Sequence, residues 1–444
     1  MFQSLNRHYL APIRSFNRAA RLFLLMTIID GVILSGWQLF FNFYMLQSGF
    51  SREFLGLANS LPSAGGLIFG LLVGRFSDRI GRKPSLIIGI GFASLFMLAQ
   101  VTFRQPQIIA ASAFLTGVFN MLFLVSQAPL MVKLSGTENR TMLFSLNYGL
   151  QTISGAIGSL FAGQLPTFFG VLLNVQAQSA AAYQAVLIVS ILLGMTSLIP
   201  IWLMKEPSAP AATDALHPSI VPPAPQTEAV ASISSRKNLS PALISLTAKM
   251  TGPQVLIGFG AAILIPYMNV FFKVRFDISD PDLGILFSVS SLLIGIGSIM
   301  APWLSTRLGG KVRAVVVTQF GSLVFLLLTG FAPFLWLSSI GYLLRTALMN
   351  MSAPLYSAFC MESTPEHHQG FVNSILNIAW NIGWAVGPFI SGIVQERYGF
   401  TPLFIATSVL YFLAISLAWA FFKNTEKNKV APRTVLLGPE YMKE

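Results

Sequence analysis

The chain has little charge and almost no cysteine. Only 10% of its 444 residues are charged, whereas about a quarter are in ordinary soluble proteins. Hydrophobic residues make up 54%, which leaves too little polar surface to face water, so we expect an all-α membrane protein. The single cysteine, Cys360, excludes an intrachain disulfide and a cysteine-based zinc site.

Groups that carry out chemistry are also scarce. The four histidines lie outside the long apolar runs, at His8, His217, His367 and His368, so no metal site is expected. The sequence has no phosphate-binding loop of the G-x-x-x-x-G-K-[ST] type. No cluster of His, Asp, Glu or Ser falls within the apolar runs. We therefore predict no catalytic residue, no cofactor and no enzyme, and regard a membrane receptor or enzyme as the weaker alternative.

The net charge of +12 does not indicate a nucleic-acid partner, because the basic residues cluster at the ends of apolar runs, where they meet lipid headgroups. With the N-terminus inside, 22 of the 28 Lys and Arg fall on cytoplasmic segments. Five fall outside, and Arg345 lies within a run. The lipid bilayer is thus the expected partner, with both termini cytoplasmic, as a multi-pass protein of the bacterial inner membrane. The first run follows four arginines and is too long for a signal-peptide core, so it is expected to be an uncleaved span.

Apolar runs long enough to cross a bilayer as helices can be placed twelve times. Continuous apolar runs of this length exclude barrel strands, which would alternate. The predicted spans are 20–46, 54–74, 84–103, 107–132, 142–164, 181–203, 252–273, 282–304, 312–332, 334–359, 370–394 and 401–423.

The order of segments predicts two six-helix halves, residues 1–204 and 241–424, joined by a Pro- and Ala-rich cytoplasmic linker, 205–240, and followed by a basic tail, 425–444. A short interfacial helix is expected at 238–250. An internal repeat supports the two halves: Gly31 and Asn42 recur as Gly258 and Asn269 at one constant offset. Further pairs follow: Leu55-Gly56 with Leu283-Gly284, Gly81 with Gly309, and Ser145, Gly158 and Gly163 with Ser374, Gly387 and Gly392. Twelve helices in two pseudo-symmetric halves are the expected architecture.

One connecting segment carries a specific motif. Residues 74–84 read G-R-F-S-D-R-I-G-R-K-P between the second and third spans, and a diverged copy, P-W-L-S-T-R-L-G-G-K, occupies 302–311. The pattern G-x-x-x-D-R-x-G-R-K resembles the signature loop of the major facilitator superfamily.

The resemblance implies a latch that joins the two halves on the cytoplasmic side when the central cavity faces outward. Its residues here would be Gly74, Asp78, Arg79, Gly81, Arg82 and Lys83. The alternative is that the basic residues only set the topology. Thr306 replaces Asp78 in the second copy, so no latch is assigned to that copy.

Small residues at spacings of four predict close helix packing in two spans. They are Gly155, Gly158 and Gly163 in the fifth span and Gly383, Gly387, Pro388 and Gly392 in the eleventh. The eleventh-span run is similar to the family's antiporter motif, but that motif belongs in the fifth span, where this chain has no proline.

Two ionisable residues fall well within spans, Asp30 in the first and Arg345 in the tenth. Charges at membrane depth are costly and mark function. The resemblance implies that spans one, four, seven and ten line the cavity, which would place both residues there. Asp30 is a candidate proton carrier, because burial favours the neutral form of a carboxyl group. The alternatives are a static Asp30–Arg345 ion pair and a packing role for Asp30.

The remaining polar and aromatic residues of the spans form a candidate substrate cavity with little charge: Trp37, Gln38, Asn42, Asn120, Gln127, Tyr267, Asn269, Asn350, Trp380 and Trp384. Such a lining suits lipophilic or weakly polar molecules. We expect a monomeric secondary transporter that works by alternating access and exports such compounds in exchange for protons. The alternative is an importer or facilitator of a small polar solute such as a sugar.

Overall fold

The computed structural model describes residues 16–135, 140–205 and 240–424, and within these ranges every regular element is a helix. The first six helical segments are α1 (Arg18–Gln47), α2 (Arg52–Ile80), α3 (Arg82–Thr102), α4 (Pro106–Leu134), α5 (Arg140–Leu172) and α6 (Ala180–Leu203). The next six are α7 (Pro241–Phe276), α8 (Asp280–Arg307), α9 (Lys311–Phe331), α10 (Leu335–Glu362), α11 (Gln369–Tyr398) and α12 (Thr401–Phe422).

Most of these helices have the length and composition of membrane spans. In the described part of the chain ten of them qualify, namely all except α10 and α11. Those two are long enough, but α10 carries Arg345 and α11 carries several amides and a Gln-Glu-Arg end. The prediction of an all-helical membrane protein is confirmed.

Helix starts follow from local chemistry. Ser51, Ser240 and Ser279 each precede a helix, and each hydroxyl oxygen accepts a hydrogen bond from the backbone N–H three residues later. These bonds satisfy donors that the first helical turn leaves free. Ser240 caps α7, Pro241 occupies its first turn, and the helix then runs without a break to Leu264. The separate interfacial helix expected at 238–250 is therefore wrong for its described residues.

The bundle has a repeating packing pattern. In the first six helices, α1 packs on α5 and α6, α4 on α2 and α3, and α3 on α6. Advancing every number by six gives the main pairs of the last six helices: α7 with α11 and α12, α10 with α8 and α9, and α9 with α12. The two sets meet chiefly where α2 packs on α11 and where α5 packs on α8. Hereafter α1–α6 are the first half and α7–α12 the second half.

Residues 206–239 and 425–444, which hold nearly all of the predicted linker and tail, lie outside the described residues.

Candidate functional site

The two halves meet closely at one end of the bundle. We call the end with the α1–α2 connection, residues 48–51, the outer end, and the end with Gly81 the inner end. A β-carbon at Gly56 of α2 would lie 2.6 Å from the Pro388 carbonyl oxygen, and one at Gly392 of α11 would lie 2.3 Å from the Arg52 carbonyl oxygen. Backbone thus touches backbone across the halves, and only glycine fits.

The α5–α8 contact is the repeat-related counterpart of this α2–α11 contact. A β-carbon at Gly163 would lie 2.9 Å from the Asp280 carbonyl oxygen, and one at Gly284 would lie 2.7 Å from the Ser159 carbonyl oxygen. Gly56 is the sequence repeat of Gly284, as Gly163 is of Gly392. The repeat thus places the same close contact on both sides of the bundle.

Amide groups join the halves between these two glycine contacts. Asn42 Nδ2 donates to Asn269 Oδ1 at 2.9 Å, so the two repeat-related asparagines bond directly to each other. Asn269 Nδ2 in turn donates to the Leu39 carbonyl at 2.8 Å. Tyr267 Oη, which is fully buried, donates to the Pro388 carbonyl at 2.9 Å and so joins α7 to α11 within the second half. The two asparagine bonds hold α1 against α7 and support closure of the outer end.

A buried charged cluster lies beside the α5–α8 contact. Asp280 is 3% exposed, and its carboxylate accepts from Lys273 Nζ at 3.0 Å and from Tyr183 Oη at 3.0 Å. Tyr183 belongs to α6 in the first half, whereas the ion pair belongs to the second half. The sequence places Lys273 among the outside charges and begins the eighth span at residue 282. The structure adds a buried charge that the predicted span leaves out: Asp280 is buried like Arg345, whereas Asp30 is partly exposed.

A cavity of about 410 Å³ opens on the inner side of the α2–α11 contact. Its walls come from α2 and α4 of the first half and α11 of the second half. The same pair of helices that touches at Gly56 and Gly392 therefore separates farther along and borders this partly open space. None of the described lining residues is charged. They are Pro62, Ser63, Gly66, Leu67, Gly70, Leu71, Gly117, Asn120, Met121, Leu124, Asn377, Ile378, Trp380, Asn381 and Trp384.

Three of the ten predicted cavity residues, Asn120, Trp380 and Trp384, line this cavity. The other seven are not among its described lining. Asn42 and Asn269 are instead used in the cross-half bonds, and Tyr267 bonds to α11 within the second half. Trp37 stacks on Phe41 with ring centroids 4.3 Å apart, and Asn350 bonds to its own helix. Gln38 is exposed and Gln127 is partly buried. Asn377 was missed, although its position one helical turn before Trp380 was a usable signal. Asn381 belongs to the same polar and aromatic set of the spans as Trp380 and Trp384, and it also lines the cavity.

The structure does not bring Asp30 and Arg345 together. They are not among the ion pairs that the described residues form within 4.0 Å. Arg345 is 5% exposed, and its Nη2 donates to Tyr411 Oη at 2.8 Å, a bond within the second half. Asp30 is partly exposed on α1. In this conformation the static-pair interpretation of these two residues does not apply.

The signature motif is mostly helical rather than a loop. Residues 74–80 form the last turns of α2, Gly81 with φ +93° makes the connection, and Arg82 begins α3. Asp78 pairs with Arg82 Nη2 at 2.5 Å while its side chain stays 64% exposed. Lys83 Nζ donates to the carbonyls of Trp202 and Met204 at the end of α6. Gly74 is buried, and Arg79 is exposed. The motif bonds described here therefore stay within the first half.

The diverged copy of the motif is anchored differently. Thr306 Oγ1 donates to the Trp303 carbonyl of its own helix at 2.7 Å, and Arg307 lies over the Trp303 ring. Lys311 forms an ion pair with Glu362 of α10. This copy thus ties α9 to α10.

The other predicted packing residues lie at contacts within one half. A β-carbon at Gly158 would lie 2.3 Å from the Val32 carbonyl oxygen, and one at Gly383 would lie 2.7 Å from the Gly258 carbonyl carbon. Gly387 faces Ala262 in the same way, and Gly155 has ordinary contacts with α1. On each of α5 and α11, some glycines therefore pack against a helix of the same half, and another packs against a helix of the other half.

Comparison with known proteins agrees with this architecture. The sequence model of the Major Facilitator Superfamily matches residues 23–252 and again 250–440. Over 144 residues, 32% of the chain, the sequence is 27% identical to the multidrug resistance protein MdtG of Enterobacter lignolyticus strain SCF1. The matched segment spans 33% of that protein's length.

Solved structures share the fold. A bacterial homolog of the human lysosomal transporter Spinster, crystallised in an inward-facing and occupied conformation, superposes with a TM-score of 0.72 at 12% identity, over 95% of this chain and 99% of that one. A D-xylose–proton symporter superposes with a TM-score of 0.65 at 14% identity, over 91% and 98%. With the family model matching nearly the whole chain and this fold shared, the protein belongs to the Major Facilitator Superfamily and is a multi-pass membrane transporter rather than an enzyme.

Proposed function

We propose that the chain is a monomeric secondary transporter with twelve spans in two pseudo-symmetric halves, which exports small lipophilic or weakly polar compounds in exchange for protons. The observation that carries this proposal is the uncharged cavity of α2, α4 and α11, whose walls come from both halves. It lies on the inner side of the close backbone contact at Gly56 and Gly392. A site shared between two rigid halves is what alternating access requires. The partial likeness to a multidrug resistance protein supports export.

The distribution of contacts supports an inward-facing state. The cross-half bonds of Asn42 and Tyr183 lie toward the outer end, as do the glycine contacts between the halves. With the termini cytoplasmic in a bacterial inner membrane, the outer end faces away from the cytoplasm. Asp78 lies exposed at the inner end and pairs within its own half, as expected of an open latch. Closing the inner end would bring this latch against the second half and open the outer end.

Protons would be carried by Asp30 on α1. It is partly exposed and has no ion pair with Arg345, which leaves its carboxyl group available to take up and release a proton. Asp30→Asn fixes a neutral side chain and should abolish uphill transport while retaining exchange of substrate down its gradient. The matched control is Asp277→Asn, which removes an exposed carboxylate, because asparagine tolerates the left-handed backbone at φ 48°.

The experiment is transport into liposomes that contain the purified protein, with an imposed proton gradient and a small set of dyes and sugars. Accumulation of an uncharged lipophilic dye that follows the gradient, and that fails in Asp30→Asn but not in Asp277→Asn, is the expected result. Uphill transport that survives in Asp30→Asn would remove the proton-carrier role.

A second candidate function is movement of a small polar solute such as a sugar. Three asparagines and two tryptophans line the cavity, Asn120, Asn377, Asn381, Trp380 and Trp384. Amides can bond to hydroxyl groups, and aromatic faces can pack on the apolar face of a sugar ring. Sugar uptake without dye transport in the same liposomes would favour this function over export of lipophilic compounds.

A further inference from the structure

The cavity of α2, α4 and α11 combines aromatic surface with one unsatisfied donor. Trp380 and Trp384 lie one turn apart on α11, with ring centroids 6.3 Å apart, and both line the cavity. The indole Nε1 of Trp384 is buried and has no hydrogen-bond partner among the described residues. A buried indole N–H normally has a partner, because leaving it unbonded costs free energy. An acceptor atom of a bound molecule would satisfy it.

The same cavity has no group to balance a charged ligand. Its described lining contains no Asp, Glu, Lys, Arg or His, and its polar groups are the hydroxyl of Ser63 and the amides of Asn120, Asn377 and Asn381. The Asn381 amide nitrogen donates to the Asn377 carbonyl at 2.9 Å, so part of this polar capacity is already used within α11. A charge moved from water into such a space would lose its hydration without gaining a counter-ion.

We propose that this cavity selects uncharged aromatic molecules that present an oxygen acceptor to the Trp384 indole N–H. Its volume, about 410 Å³, lies within the range of small-molecule sites. Aromatic faces of the ligand would pack on Trp380 and Trp384. Charge selection would follow from the lining itself, independently of Asp30 on α1. This inference rests on the proposed transport function and names the substrate class of its site.

The probes are two dyes of the same ring system. Nile red is neutral and carries a ring carbonyl oxygen, whereas Nile blue is cationic and carries an iminium nitrogen in that place. Equilibrium binding is measured to the protein in lipid nanodiscs fixed on beads, after subtraction of the dye that empty nanodiscs retain. Nile red should bind saturably, and Nile blue at least tenfold more weakly.

Trp384→Phe keeps an aromatic ring but removes the donor, and should weaken Nile red binding roughly three- to tenfold. Trp336→Phe, on a side chain that is 62% exposed at the start of α10, is the matched control and should leave binding unchanged. Equal binding of Nile red by Trp384→Phe and wild type would overturn the proposal, as would equal binding of the two dyes by wild type.

Asn381→Asp provides a test that holds even if Trp384→Phe does not fold. A carboxylate in the lining should raise Nile blue binding above the wild-type level at pH 8, and failure to do so would count against charge selection by the lining. Because binding is measured without transport, the two claims fail separately. Gradient-driven transport in a protein that binds both dyes equally would remove the selection and leave the transporter in place. Selective binding without any transport would keep the substrate selection and remove the transport function.

Discussion

The two ends of the bundle use polar side chains in opposite ways. At the outer end, Asn42 and Tyr183 donate hydrogen bonds across the halves, to the buried side chains of Asn269 and Asp280. At the inner end, Arg82 bonds to Asp78, and Lys311 bonds to Glu362, each within one half and partly in contact with solvent. Buried cross-half bonds are strong because water does not compete for them, whereas exposed ion pairs contribute little. The contrast indicates which end is held closed and which is free to move.

The largest loss of stability is expected at the buried charged cluster of the outer end. Asp280→Ala would leave Lys273, 14% exposed, without its carboxylate, and removing one partner of a buried ion pair costs about 3–5 kcal/mol. Asp280→Leu combined with Lys273→Met removes both charges and should recover most of the stability that Asp280→Ala loses. The measurement is thermal unfolding of the purified protein in detergent.

Tyr183→Phe separates the cross-half bond from the ion pair. It removes one hydrogen bond to a carboxylate and leaves the pair intact, so it should cost about 1.5–3 kcal/mol. If Tyr183→Phe destabilised the protein as much as Asp280→Ala, the cluster would be held by the tyrosine rather than by the lysine. If neither change had an effect, the outer end would not be the stable end.

An intermediate effect is expected where backbone meets backbone across the halves. Gly392→Ala places a methyl group 2.3 Å from the Arg52 carbonyl oxygen, so α2 and α11 must move apart. Overpacking of this kind costs about 1–3 kcal/mol. Because the outer end could no longer close, transport should fall to background in the liposome assay.

Gly149→Ala is the matched control, since a β-carbon there meets nothing within 4 Å. Alanine also favours a helix over glycine by about 1 kcal/mol, so this variant should be at least as stable as the parent and transport normally. Normal transport by Gly392→Ala would show that tight closure of the outer end is not needed.

The repeat and the class of fold could be predicted from the sequence because both depend on local patterns. Apolar run lengths predict the helices, and the constant offset between Asn42 and Asn269 predicts equivalent positions in two halves. The structure adds that these two side chains bond to each other. Such a bond requires the equivalent positions to face the interface between the halves, which no run length reveals.

Burial of Asp280 could not be predicted, because it depends on Tyr183 from a distant helix of the other half. Hydropathy alone predicts that an Asp near the end of a span is exposed to water. The signature motif failed as a loop prediction for a different reason. Its charges indicate an exposed connection, yet Asp78 and Arg82 are four residues apart, a spacing that a helical turn brings together. A single glycine with positive φ then suffices to connect α2 to α3.

The smallest change in stability is expected at the inner end, where Asp78 is 64% exposed. Asp78→Asn removes an exposed ion pair worth about 0–1 kcal/mol, so folding and membrane insertion should be unaffected. Transport should nevertheless fall several-fold, because the carboxylate would no longer be available to hold the inner end closed in the outward-facing state. Thr306→Ala, in the diverged copy, removes only a hydroxyl that bonds to its own helix and should leave transport unchanged. Equal losses in both variants, or full activity of Asp78→Asn, would mean that the motif sets topology rather than latching the halves. A loss confined to Asp78→Asn would show that the end with the weaker bonds in this conformation controls the transport cycle.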